Sequence, residues 1–103
     1  MIIKYNANID TMAIKQNIGR ITNLIFKLLP VREEGGDWQT TLQNLIIELS
    51  GMSELLSDHV TLFSLLCKLE ALLKLEREEE FLLFRKTIFE CLGMLNEIKE
   101  CLD

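Results

Sequence analysis

The stretch Leu62-Phe63-Ser64-Leu65-Leu66-Cys67-Lys68-Leu69-Glu70-Ala71-Leu72-Leu73-Lys74-Leu75-Glu76-Arg77-Glu78-Glu79-Glu80-Phe81-Leu82-Leu83-Phe84 decides the fold. No Gly or Pro occurs between Ser53 and Leu92, so propensity alone allows one long helix. The apolar phase forbids it. Leu62, Leu65, Leu66, Leu69, Leu72 and Leu73 form one seam, and extending it at helical spacing leads onto Glu76, then Glu79 or Glu80. The seam that follows is instead Phe81, Phe84, Ile88, Cys91, Leu95, Ile98 and Leu102, displaced by about two residues, or more than half a turn. One straight helix cannot turn both seams to the same core.

The charges at the phase break agree with a reversal. Lys74 and Arg77 suit the C-terminal end of one helix, and Glu78, Glu79 and Glu80 suit the N-terminal end of the next. In an unbroken helix Glu76 and Glu80 would repel at i,i+4, at a cost of about 0.2–0.5 kcal/mol. The expectation is an antiparallel helical hairpin with helices over 57–76 and 79–102.

Working outward, Ile14, Ile18, Ile21, Ile25 and Leu28 recur at three- and four-residue steps. Asp10 is a suitable N-cap, Ile9 and Ile14 occupy hydrophobic-staple positions, and Pro30 supplies a stop, which predicts a helix over 10–29 after an N-terminal arm, 1–9. Val31 to Asp37 lacks an apolar period and reads as a loop. Asp37 then caps a helix over 38–50 carrying Leu42, Leu45, Ile46 and Leu49, with Gly51 as its C-cap and Trp38 over the core edge. The expected fold is therefore all-α, a single helical domain over 1–103, built as a four-helix bundle with a C-terminal antiparallel helical hairpin.

Composition bounds the function. Hydrophobic residues make up 49% of 103 residues and charged ones 26%, too apolar for a disordered tail and too interrupted by charge for a membrane span. The N-terminus lacks the basic and then apolar regions of a secretory signal, so a cytoplasmic location is expected. Cys67, Cys91 and Cys101 are odd in number and form no Cys-x-x-Cys pair, which predicts reduced thiols, with Cys67 and Cys91 as small buried hydrophobes. The net charge of −5 lies wholly in the second half, because residues 1–52 hold five basic and five acidic side chains and residues 53–103 hold six and eleven. That balance argues against nucleic acid and for a protein partner.

No catalytic arrangement emerges. His59 is the only imidazole and reads as a first-turn surface residue beside Asp58. Glu76 with Glu79, and Glu97 with Glu100, have the Glu-x-x-Glu spacing that a magnesium-dependent all-α nucleotide pyrophosphohydrolase uses, which makes that enzyme an alternative reading. A helix-turn-helix with its turn at Gly19 fails on phase, since the apolar stripe passes through that glycine unbroken; the glycine reads as a site of close helix packing. No catalytic residue, metal ligand or cofactor is expected.

What remains is surplus apolar surface. Leu75, Leu82, Leu83, Phe89 and Leu92 lie beyond the main seams, and Met52, Leu55 and Leu56 add to them. Each large side chain left in water forgoes about 1.5–3 kcal/mol, which favours association with another surface. The expected function is a non-enzymatic helical protein-interaction module, a self-associating accessory or regulatory subunit, with an acidic inhibitor or chaperone for a basic target surface as alternative. The partner-binding residues are expected to be Glu76, Glu78, Glu79, Glu80, Leu82, Leu83 and Phe89, and the partner a homo-oligomer mate or another protein.

Overall fold

The computed structural model describes residues 11–52 and 60–101. Of these, 88% are helical and none is in a strand. Four α-helices follow in order, α1 (Thr11–Glu33), α2 (Trp38–Met52), α3 (Val60–Leu72) and α4 (Phe81–Glu100), with a 3-10 turn over Glu78–Glu80 leading into α4. Among the described residues α1 packs on α2 and α4, and α3 on the same two, so the helices form a ring around one core. Each contributes most of its predicted seam: Ile18, Ile21, Ile25 and Leu28; Leu42, Leu45 and Leu49; Leu62, Leu65, Leu69 and Leu72; Phe84, Ile88, Cys91, Leu95 and Ile98 are all buried, whereas Ile46, Leu66, Leu73 and Phe81 are half-buried against them.

The phase break is a physical break. α3 ends at Leu72, and its last turn tightens through Leu73, Lys74 and Leu75 N–H groups that bond three residues back, to the carbonyls of Glu70, Ala71 and Leu72. The Arg77 N–H then donates to the Glu80 carboxylate at 3.1 Å and the Glu80 N–H to the Arg77 carbonyl at 2.9 Å. This local ring starts the 3-10 turn and resets the helical phase. Between α3 and α4 the Thr61 hydroxyl donates to Glu97 at 3.3 Å, and Lys68 pairs with Glu90 at 3.4 Å.

Besides the start of α4, at Phe81 after the 3-10 turn rather than at 79, three boundaries differ from the sequence reading. α1 does not stop at Pro30 but runs through it to Glu33. Pro30 has no N–H for the Phe26 carbonyl, yet the turn beyond it is held by a stronger terminus. Gly35 sits at φ +78, its N–H donating to the Arg32 carbonyl at 3.0 Å, while the Gly36 N–H donates to that of Val31 at 2.8 Å. These two bonds are a Schellman motif with Gly35 at C′, so the paired glycines end the helix rather than merely following it. The second difference is Gly51, which lies within α2 and does not cap it. The third is that α3 ends four residues before Glu76. Asp37 does cap α2, accepting from the Thr40 N–H at 3.1 Å. The expected cap at Asp10, the arm at 1–9, His59 and Leu102 lie outside the described residues.

Candidate interaction surface

One end of the bundle is organised by Arg32, which the extension of α1 past Pro30 brings over the core. Its guanidinium donates to the carbonyls of Leu75 and Arg77, the second at 2.8 Å. The same group lies 4.4 Å from the ring centroid of Phe84, 4.9 Å from that of Trp38 and 5.7 Å from that of Phe81. Trp38 and Phe84 meet edge to face at 4.9 Å, so the cation covers an aromatic cluster instead of leaving it to water. Beside it opens a cleft of about 720 Å³ whose rim carries Glu33, Glu76, Glu78, Glu79 and Leu82.

The four glutamates of the turn divide by role. Glu76, Glu78 and Glu79 are exposed, whereas Glu80 is half-buried and engaged with the Arg77 N–H. Arg77 also pairs with Glu79 at 3.4 Å, so part of the acidic charge is answered within the turn. Leu82, Leu83 and Phe89 are all exposed. Leu82 and Phe89, seven residues apart, share a side of α4, and Leu83, a further 100° round the helix from Leu82, does not. Phe89 meets Phe26 of α1 edge to face at 6.3 Å under the Arg85 guanidinium at 5.5 Å. Of the other surplus apolar residues, Leu75 and Leu92 are half-buried against the core and Met52 is buried; Leu55 and Leu56 lie outside the described residues.

Sequence reasoning missed the surface of α2 and α3. Ile47 and Phe63 are about as open to solvent as Leu82, at 70%, 71% and 76%, and Val60 reaches 78%. Cys67 is exposed as well, a correction to its expected burial, because it falls on the side of α3 opposite Leu62, Leu65, Leu69 and Leu72. The signal was present in α3, whose apolar residues occupy all sides of the helix. Cys91 is buried as expected, and burial pushes its thiol up to about 12.

The carboxylate pairs of the enzyme reading do not meet. Glu79 and Glu97 flank opposite ends of α4, about 27 Å apart along it at 1.5 Å per residue, whereas ligands of one cation lie within a few ångströms of it. Glu97 accepts from Thr61, and Glu100 from Asn96 at 3.3 Å. Among the described residues no group of three His, Cys, Asp or Glu could hold a metal ion, and no helix is long and apolar enough to cross a membrane. α1 passes straight through Gly19, where a Cβ would meet nothing within 4 Å, so this glycine serves neither a turn nor a close helix contact. Compared with known proteins, the chain matches no family model, no curated protein and no solved structure.

Proposed function

We propose that this chain is a non-enzymatic, cytoplasmic helical interaction module that self-associates as an accessory or regulatory subunit. The observation that carries the reading is the exposure, among the described residues, of eight large apolar side chains, Phe26, Leu82 and Phe89 among them, on four helices that already share a buried core. Each costs about 1.5–3 kcal/mol of unrealised burial, and a partner surface recovers that energy. Sedimentation of the full chain from about 5 to 500 μM tests it: a mass rising above the monomer with concentration supports self-association, and a constant monomer mass over that range rejects it.

A second reading, an acidic module that occupies a basic surface of its target, is favoured by one specific feature. Glu76, Glu78 and Glu79 stand exposed at the rim of the cleft beside Arg32. In that case association with the target slows steeply as salt rises, which stopped-flow mixing at two ionic strengths measures.

A further inference from the structure

The cleft beside Arg32 has walls of two kinds. Glu33, at the end of α1, and Glu76, Glu78 and Glu79, in the α3–α4 connection, bring carboxylates to it, while Phe81 and Leu82 bring apolar surface from the first turn of α4. Among the described residues Glu33, Glu76 and Glu78 form no ion pair, and Glu79 pairs with the exposed Arg77. Arg32, the one cation among the described residues that line the cleft, does not answer these charges. Its guanidinium donates to the carbonyls of Leu75 and Arg77 and lies over the rings of Trp38, Phe81 and Phe84.

We propose that this cleft receives an arginine side chain from a basic segment of a partner protein, with the alkyl stem against Phe81 and Leu82 and the guanidinium among Glu33, Glu76 and Glu78. The proposal rests on reading the chain as an acidic module for a basic surface, and it names the pocket and the side chain that enters. Charge selects the class of occupant. Three unanswered carboxylates repel phosphate and attract a cation. They do not converge on one point, since among the described residues no group of three His, Cys, Asp or Glu could hold a metal ion. A guanidinium needs no such convergence, because it presents five N–H donors in a planar fork that meets carboxylates on more than one side.

The cleft already holds one group of this kind. Arg32 shows that the rings and free carbonyls at this end of the bundle accommodate a guanidinium, 4.9 Å from the Trp38 ring centroid. The apolar wall narrows the choice further. Leu82 is 76% exposed beside the carboxylates, which suits a side chain that lays a methylene stem on apolar surface and keeps its charged head among acids. Lysine has such a stem but ends in a point charge without the fork, so arginine is preferred. At about 720 Å³ the cleft has the size of a ligand pocket, and residues flanking the arginine enter with it. Because the carboxylates are exposed, a single arginine binds weakly and the affinity falls as salt rises.

The test uses the full chain and an acetylated, amidated diarginine peptide, with dilysine and dicitrulline peptides as comparisons. Titration calorimetry at about 20 mM salt measures binding, and the emission of Trp38, the single tryptophan of the chain, reports occupation of the cleft it lines. The expected result is saturable binding of diarginine that shifts the Trp38 emission, weaker binding of dilysine and none of dicitrulline. Glu76→Gln with Glu78→Gln should weaken diarginine binding about fivefold and Leu82→Ser about twofold, with unchanged helical circular dichroism. Glu97→Gln, toward the far end of α4, should change neither readout. Dilysine or dicitrulline binding as tightly as diarginine overturns the proposal. So does diarginine binding that leaves Trp38 unmoved and ignores the substitutions at Glu76, Glu78 and Leu82, although that outcome spares the acidic-module reading. If neither diarginine nor an octa-arginine peptide binds, the cleft and that reading fall together.

Discussion

The Arg32 guanidinium carbon lies 4.4 Å from the centre of the Phe84 ring, and this contact joins the last turn of α1 to the first turn of α4. Arg32 holds the α3–α4 connection at the same time, through the carbonyls of Leu75 and Arg77. One side chain thus ties the end of α1 to the connection between α3 and α4. Arg32→Ala removes both hydrogen bonds and the cation–π contact and leaves Trp38 and Phe84 less covered, so it should lower unfolding stability by about 2–3 kcal/mol. Arg32→Lys retains the charge but not the planar fork, and should recover less than half of that loss in urea titrations.

The glycines separate by sign. Gly35 sits at φ +78 in the Schellman turn, and a Cβ on Gly36 would come within 2.9 Å of the Val31 side chain. Alanine at either position should destabilise, by about 1 kcal/mol at Gly35. Gly93 lies inside α4, where a Cβ meets nothing within 4 Å, so Gly93→Ala should stabilise by about 0.5–1 kcal/mol. Thermal melts of the three variants that shifted in one direction would contradict this assignment.

The glycines also show what the sequence could and could not reveal. The four helical seams were legible because a 3.6-residue period survives any tertiary arrangement, and the break after Leu72 was legible because it disturbs that period. The end of α1 was not, because Pro30 is a local penalty while Arg32 acts through the aromatic cluster, which is a tertiary gain. Exposure divided in the same way. Leu82, Leu83 and Phe89 lie off their seam and were found, whereas Phe63 and Ile47 stand beside apolar neighbours that are covered, and only packing tells them apart.

Asp37 should make part of the stability depend on pH. Hydrogen bonds from the Thr40 hydroxyl and N–H hold its carboxyl below its ordinary value of 3.8. A carboxyl lowered in the folded state stabilises above that value, and the contribution is lost as pH falls through the folded value. Asp37→Ala should therefore unfold earlier than the parent at pH 7, and the gap should close as pH drops below about 4. A gap that persists at pH 2 would mean that the cap acts otherwise than as a carboxylate.

The three thiols should react in two classes. Cys67 and Cys101 are exposed, whereas the Cys91 thiol is buried in the core and raised to about 12, so it is neither accessible nor ionised near neutrality. A thiol reagent at pH 8 should modify two groups promptly and the third at the rate of unfolding, with urea bringing all three together. Because the folded chain disfavours the Cys91 thiolate, its neutral form favours folding at neutral pH. That advantage declines once pH exceeds the ordinary thiol value near 9.

The acidic turn supplies the last prediction. Glu80 is engaged by the Arg77 N–H and belongs to the turn itself, so a variant meant to change charge alone should leave it in place. Glu78→Gln with Glu79→Gln removes two negative charges, which takes the net charge from −5 to −3. If copies meet away from this turn, these side chains lie outside the contact, and their effect is long-range repulsion between like-charged molecules. The variant should then dimerise about twofold more tightly at 20 mM salt and equally at 500 mM, where the Debye length falls to a few ångströms. Weaker dimerisation at both salt concentrations would place the turn inside the contact. For a basic target the sign reverses: the same variant should associate more slowly at low salt, with dissociation little changed, because surface charge acts mainly on the rate of encounter.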